Sequence, residues 1–353
     1  MINVLIADDS KATRMFLQHL LESDADISVI GVVANGAPVL EFLQGARPDV
    51  VVIGVCVPGM DGLETTRRIM ETQPLPIVVC SVTANELVFR ALESGAIACI
   101  EMPVAGDSSY AQAAASHLIQ SVKLMSEVKV VRRWPKSASD RVSGRTLSAA
   151  RLQNGANVKI VGIGASTGGP PALQTIIRDL PGDFPVPVLV VQHIAKGFLP
   201  GMVTWLRQTT GKSVAIASNG TLALPGHVYL APDGSQMGIT RDGHISLSRA
   251  EAENGIRPAV GFLFRSLAEM TGASAIGVLL TGMGKDGAAE LKEMKVRGAV
   301  TIAQDRESSV VHGMPGTAVA LGGATYVLPV SRIANALTHL VNSPSGNMDL
   351  DSE

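Results

Sequence analysis

The stretch richest in chemistry runs from Ile160 to Pro171 and reads Ile-Val-Gly-Ile-Gly-Ala-Ser-Thr-Gly-Gly-Pro-Pro. An apolar run fit for a buried strand ends in a glycine-rich turn. Pro170 or Pro171 then suits the first turn of a helix, where a missing N–H costs nothing. Gly164-Ala165-Ser166-Thr167-Gly168 fits GxSxG, in which small flanking residues let a serine sit on a sharp strand-to-helix turn. The N-terminus of the following helix favours negative charge developing nearby. On this segment alone three readings stand side by side. Ser166 is a nucleophile, or the turn cradles a phosphate, or the glycines merely fit a tight connection.

A nucleophilic serine needs a base and a group that orients the base. Gln192-His193 follows the apolar run Pro187–Val191, which puts His193 at the carboxyl edge of its sheet, where ligands and catalytic groups gather in open α/β folds. Asp286 follows Leu279-Leu280-Thr281-Gly282-Met283-Gly284-Lys285, again just past a strand pattern. Taken singly, His193 reads as a structural histidine and Asp286 as the cap of the next helix. Taken together with Ser166, the three residues supply nucleophile, base and orienting acid along one edge. Their order, Ser-His-Asp, departs from the Ser-Asp/Glu-His order of the common α/β hydrolases. Because the same geometry arises on unrelated folds, the order argues against that fold and leaves the chemistry open.

The elements that must position these residues follow from periodicity. Ile2–Ala7, Ile27–Val33, Val50–Val55, Ile77–Cys80 and Ile97–Glu101 read as strands, with helical spacing over Lys11–Ser23, Gly36–Gly45 and Tyr110–Val128. Strands alternating with helices imply a parallel sheet. From Lys129 to about Gly155 the chain is basic and rich in serine and small residues, and reads as a linker. The strand–helix rhythm resumes with Val158–Gly164, Val186–Val191, Ala275–Leu280 and Ala299–Ala303. Residues 213–248 carry Asp233-Gly234 and Asp242-Gly243 between short alternating runs, which predicts inserted hairpins. The expected organisation is therefore a (βα)5 doubly wound parallel sheet over 1–128, a linker over 129–155, a doubly wound α/β unit with a small antiparallel hairpin insertion over 156–345, and an acidic tail over 346–353.

Composition narrows the function classes. With 353 residues, two cores are expected. The balance of 29 basic against 31 acidic side chains lacks the basic footprint of nucleic-acid binding. No apolar stretch reaches the ~20 residues that span a bilayer, and the opening MINVLIADDS has no basic region before its apolar residues, so no secretory signal is expected. The three cysteines, Cys56, Cys80 and Cys99, sit in apolar runs without metal-ligand spacing. These features point to a cytoplasmic protein without membrane insertion.

Four motifs in sequence, GASTGG at 164–169, Gln192-His193, TGMGKD at 281–286 and Ala303-Gln304-Asp305, resemble those of the bacterial chemotaxis protein-glutamate methylesterases (CheB-type), and the likeness covers nearly the whole chain. The resemblance implies a receiver domain in front and an esterase behind, with Ser166 as nucleophile, His193 as general base and then acid, Asp286 holding the imidazole, and the Met283 N–H as oxyanion donor. It implies hydrolysis of glutamyl methyl esters on methyl-accepting chemoreceptors, with glutamine deamidation open through the same acyl-enzyme and no cofactor for the esterase. A serine hydrolase of another substrate and a non-catalytic adaptor are the competing readings. Two positions depart from the family pattern: Gly261 where an Asp is usual, and His312 where a Tyr is common before Gly-Met-Pro.

The front domain departs further. Asp8-Asp9 resembles the acidic pair with which receivers hold Mg²⁺, and Ser81 matches the Ser/Thr switch position. Yet Gly54 stands at the phosphoacceptor position and Met102 at that of the usual Lys. Asp8 and Asp9 are then a residual metal site with no phosphoacceptor. A domain that regulates by contact with a histidine kinase or adaptor and a structural remnant are the two readings.

Overall fold

The computed structural model describes residues 1–34, 36–54, 61–81, 86–103, 108–128 and 158–342. The expected linker at 129–155, the tail at 346–353 and Cys56 lie outside the described residues. The chain divides into two compact units, Met1–Pro135 and Lys136–Glu353.

In the first unit, β1 (Ile2–Ala7), α1 (Lys11–Glu22), β2 (Ile27–Val33), α2 (Ala37–Gly45), β3 (Val50–Gly54), α3 (Asp61–Thr72), β4 (Ile77–Ser81), α4 (Glu86–Glu93), β5 (Ala98–Glu101) and α5 (Ser109–Ser126) alternate. The strands form one parallel sheet in the order β2-β1-β3-β4-β5. Val, Ile and Cys fill β3 and β4 without polar alternation because helices cover both faces of such a sheet. Ser10 and Ser108 start α1 and α5 by accepting from the Thr13 and Ala111 N–H groups. The strand order reverses between β1 and β3, so the ends of these two strands, Asp8 and Gly54, flank the crevice where such sheets bind ligands.

The second unit runs β6 (Ile160–Ala165), α6 (Gly169–Asp179), β7 (Val188–Gln192), α7 (Leu199–Thr210), β8 (Ser213–Ile216), β9 (His227–Leu230), β10 (Gln236–Ile239), β11 (Ile245–Ser248), α8 (Val260–Met270), β12 (Ala275–Leu279), α9 (Ala288–Val296), β13 (Val300–Gln304), α10 (Met314–Ala320), β14 (Tyr326–Leu328) and α11 (Val330–Asn342). Seven of these strands form a parallel sheet in the order β14-β13-β12-β6-β7-β9-β8. The expectation for 213–248 is half right. Asp242-Gly243 turns a true antiparallel hairpin, β10–β11, whereas β8 and β9 join the edge of the main sheet in parallel. Short alternating runs report a half-buried strand but not its partner, and only the second turn has pairing strands on both sides.

The central strand β6 carries Gly162 and Gly164 for a packing reason. A Cβ on Gly162 would stand 2.3 Å from Leu267 Cδ1, and one on Gly164 would stand 2.2 Å from Val260 Cγ1. Both contacts come from α8, which lies close against β6 because these residues have no side chain. That approach brings the first turn of α8 to the carboxyl edge of the sheet. Among the described residues, no helix is long and apolar enough to cross a membrane.

Candidate active site

Strand order in the second unit reverses at β6, which lies between β12 and β7. Ser166 follows β6 directly. Ala165 is in register with Gln192, so His193 stands beside Ser166 one strand over, where parallel strands are about 4.8 Å apart. The His193 N–H donates to Ala165 O at 2.9 Å, and on the other side the Ser166 N–H donates to Thr281 O at 3.0 Å. The serine backbone is thus tied to both neighbours before α6 begins at Gly169. Gly168 makes the turn with φ +77°, and Pro170 and Pro171 occupy the first turn of α6 as the sequence predicts.

Asp286 and His193 meet, with His193 Nε2 2.9 Å from Asp286 Oδ2. The carboxylate is itself held. The Val260 N–H donates to Oδ2 at 2.7 Å and the Gly261 N–H to Oδ1 at 2.9 Å. These are unspent N–H groups at the start of α8, delivered there by the glycines of β6. Burial works to raise the Asp286 pKa. The His193 hydrogen bond and charge, with the two backbone N–H groups, outweigh it and leave the carboxyl below the ordinary value. Sequence reasoning did not find these anchors, since Val260 and Gly261 contribute only their backbone.

The loop after β12 is fixed by its neighbours. Thr281 Oγ1 lies 2.9 Å from Thr167 O and accepts from the Val311 N–H at 3.0 Å, while the Thr281 N–H donates to the buried Gln304 Oε1 at 2.8 Å. Gly282 O accepts from the Gly313 and Met314 N–H groups. A Cβ on Gly282 would stand 2.3 Å from Met314 Sδ and 2.7 Å from Ser166 Cβ, so only glycine lets this loop close over the serine. Met283 follows at once, and its N–H has no acceptor among the described residues.

Of the two departures from the family pattern, Gly261 has a packing account. A Cβ on Gly261 would stand 3.0 Å from Glu290 Cδ and 3.2 Å from Asp286 Oδ1. The carboxylate of Glu290, 3.1 Å from Arg265 Nη1, therefore takes up space that a larger residue at 261 would need. His312 is half-buried, with Nε2 3.2 Å from Gln304 O.

In the first unit Asp8 is fully buried, with Oδ1 accepting from the Ser10 N–H at 2.7 Å. Its Oδ2 has no partner among the described residues. A Cβ on Gly54 would stand 1.6 Å from that Oδ2 and 2.6 Å from Asp8 Cγ, so the carboxylate occupies the place of a side chain at position 54. Burial pushes the Asp8 carboxyl up, and Asp9 adds to the rise; the Ser10 N–H and Arg14 oppose it. Asp9 is exposed and Met102 is buried. No group of three metal-ligating side chains occurs among the described residues. An acid turned into the gap over Gly54, where the glycine offers no second carboxylate, does not fit a Mg²⁺ ligand set.

Two doubly wound parallel units, a receiver followed by an α/β esterase, are the class that this fold and its motifs define. The CheB methylesterase family model matches residues 161–337 and the response regulator receiver domain model matches residues 4–112. The chain belongs to the CheB methylesterase family. It is 47% identical over 345 residues to a protein-glutamate methylesterase/protein-glutamine glutaminase of Nitrosospira multiformis, covering 97% of each chain. It is 50% identical over 345 residues to one of Geobacter metallireducens, covering 96% of this chain and 99% of that one. The crystal structure of the Thermotoga maritima CheB methylesterase catalytic domain aligns with a TM-score of 0.51 and 41% identity, over 52% of this chain and 99% of that one.

Proposed function

We propose that this chain is a protein-glutamate methylesterase that hydrolyses glutamyl methyl esters on methyl-accepting chemoreceptors through Ser166, His193 and Asp286. The observation that carries the reading is the His193–Asp286 hydrogen bond of 2.9 Å beside a serine on a glycine-bounded turn. With Nε2 committed to Asp286, Nδ1 is the nitrogen left to take the Ser166 proton. Ser166 Oγ attacks the ester carbonyl carbon as its proton passes to His193, and Asp286 balances the imidazolium that forms. The developing oxyanion is met by the Met283 N–H. Collapse expels methoxide, which leaves as methanol with the proton from His193. Water, deprotonated by His193, then attacks the acyl-enzyme and releases the glutamate carboxyl and Ser166. A glutamine side chain follows the same course with ammonia as leaving group, in line with the double name of the relatives. No step calls for a cofactor.

The front unit, taken as residues 1–128 and joined through 129–155 to a catalytic unit at 156–345, acts by protein contact and not as a phosphorylation switch. Gly54 supplies no acceptor carboxylate, and Asp8 fills the space above it. A histidine kinase or adaptor is the partner class for such a unit. An alkyl fluorophosphonate probe tests the catalytic reading: one equivalent should attach at Ser166, identified by peptide mass spectrometry. Absence of labelling would favour a non-catalytic adaptor.

A further inference from the structure

Gln192 is the last residue of β7 and is 4% exposed. Its side-chain Nε2 donates to Ser166 O at 2.8 Å and to His193 O at 2.8 Å. Two carbonyl oxygens can only accept, so the NH2 end must be the one that faces them, and both of its protons are used. One buried amide therefore ties the main chain of the serine to that of the histidine, just past the ends of two neighbouring strands. The fit leaves no slack. Oε1, the other end of the amide, lies against Gly169, where a Cβ would stand 2.1 Å from it. Gly169 also donates its N–H to Ser166 O at 2.8 Å, so that carbonyl receives two donors from the interior.

The orientation of that carbonyl has a further effect. A trans peptide carries its C=O and the next N–H on opposite sides. With Ser166 O drawn inward to Gln192 and Gly169, the Thr167 N–H is turned outward. It finds no acceptor among the described residues. The residue after the nucleophile is a usual source of an oxyanion donor in GxSxG turns.

We propose that Gln192 is a positioning residue for catalysis, an amide clamp that sets the Ser166–Thr167 peptide and the His193 backbone in the orientation the reaction needs. The proposal rests on the Ser166–His193–Asp286 reading. It assigns to Gln192 no contact with substrate. Its effect falls on kcat, because the relative placement of nucleophile, base and oxyanion donors governs the chemical step while the outer contacts of the substrate are untouched.

The test uses the full chain with Gln192→Met, which keeps the volume and removes both donors. Active sites are first counted with the fluorophosphonate probe, and methanol release from methylated receptor membranes is then expressed per counted site. The expected result is kcat per site lowered by about 10²-fold, the scale of a misplacement near 1 Å, with KM within about twofold of wild type. If Gln192→Met does not fold, Gly169→Ala reaches the same amide from α6 and should give the same split. Wild-type kcat per site, with fewer sites or a lower melting temperature, would make Gln192 a stability residue only and overturn the proposal. A rise in KM at unchanged kcat would overturn it too. Failure of the underlying reading looks different: the probe would not label Ser166 in the wild-type chain.

Discussion

Replacing Asp286 with asparagine leaves three donors converging on a side chain with one acceptor oxygen. In the native site Oδ2 meets His193 Nε2 and the Val260 N–H at 2.9 and 2.7 Å, and Oδ1 meets the Gly261 N–H at 2.9 Å. An asparagine NH2 cannot accept. With its oxygen in the Oδ2 position, His193 keeps its tautomer but the NH2 faces the Gly261 N–H. With its oxygen in the Oδ1 position, the NH2 faces the Val260 N–H and donates to His193 Nε2. The ring proton then moves to Nδ1, which can no longer accept from Ser166. Either way one backbone N–H loses its acceptor beside a side chain only 11% exposed, a cost of about 1–3 kcal/mol in stability. Either way the imidazolium loses its counter-charge. Asp286→Asn should therefore remain folded with a lower melting temperature and lose about 10²–10⁴-fold in kcat, or roughly 3–5 kcal/mol of transition-state stabilisation. Steady-state methanol release per folded molecule measures it. Unchanged kcat in the folded variant would reduce Asp286 to the cap of α8 and refute the reasoning.

Gly282→Ala should lower kcat by at least about tenfold while the sheet stays intact, because its Cβ would stand 2.7 Å from Ser166 Cβ and must displace the nucleophile; wild-type turnover would mean that the loop yields instead. The wild-type chain should take up no phosphate from acetyl phosphate, and beryllofluoride should leave its methanol release unchanged. Gly54→Asp with Met102→Lys should lower the melting temperature, since the new Cβ falls 1.6 Å from Asp8 Oδ2; stoichiometric phosphate incorporation by the wild type would contradict the loss of the switch. Folding lowers the Asp286 pKa, so the stability from its ionisation is complete above the ordinary value of 3.8 and fades as pH falls through the lower folded value. For Asp8 the sign is opposite: its pKa is raised, and a cost to stability appears as pH rises through 3.8. Asp8→Asn should then raise the melting temperature of the first unit at pH 7, with the gain closing as pH falls toward 3.8; an equal gain at both ends would rule out ionisation as the cause.

The legibility of the sequence differed by element. The strand ends bearing Ser166, His193 and the Asp286 loop were readable because long apolar runs fix where parallel strands stop, and catalytic side chains gather where they do. The anchors of Asp286 were not readable, since backbone N–H groups are the same in every residue and only the packing of α8 on Gly162 and Gly164 brings them there. Gln192 and Gln304 left one trace: each is a buried amide that closes a fully buried strand. Strands β8 and β9 read as hairpin strands in the sequence because a four-residue alternating run carries no record of its partner. The three-residue β14 lay below what periodicity resolves. At Gly54 the missing carboxylate was plain from the sequence, but the rotation of Asp8 into the gap was not.

The central claim, turnover of glutamyl methyl esters by Ser166, is tested most directly by methanol release from methylated chemoreceptor membranes with the wild-type chain and Ser166→Ala at equal folded concentration. Release by the wild type and a loss of about 10⁶-fold in the variant are expected. No release by the wild type, or comparable release by both, would contradict it.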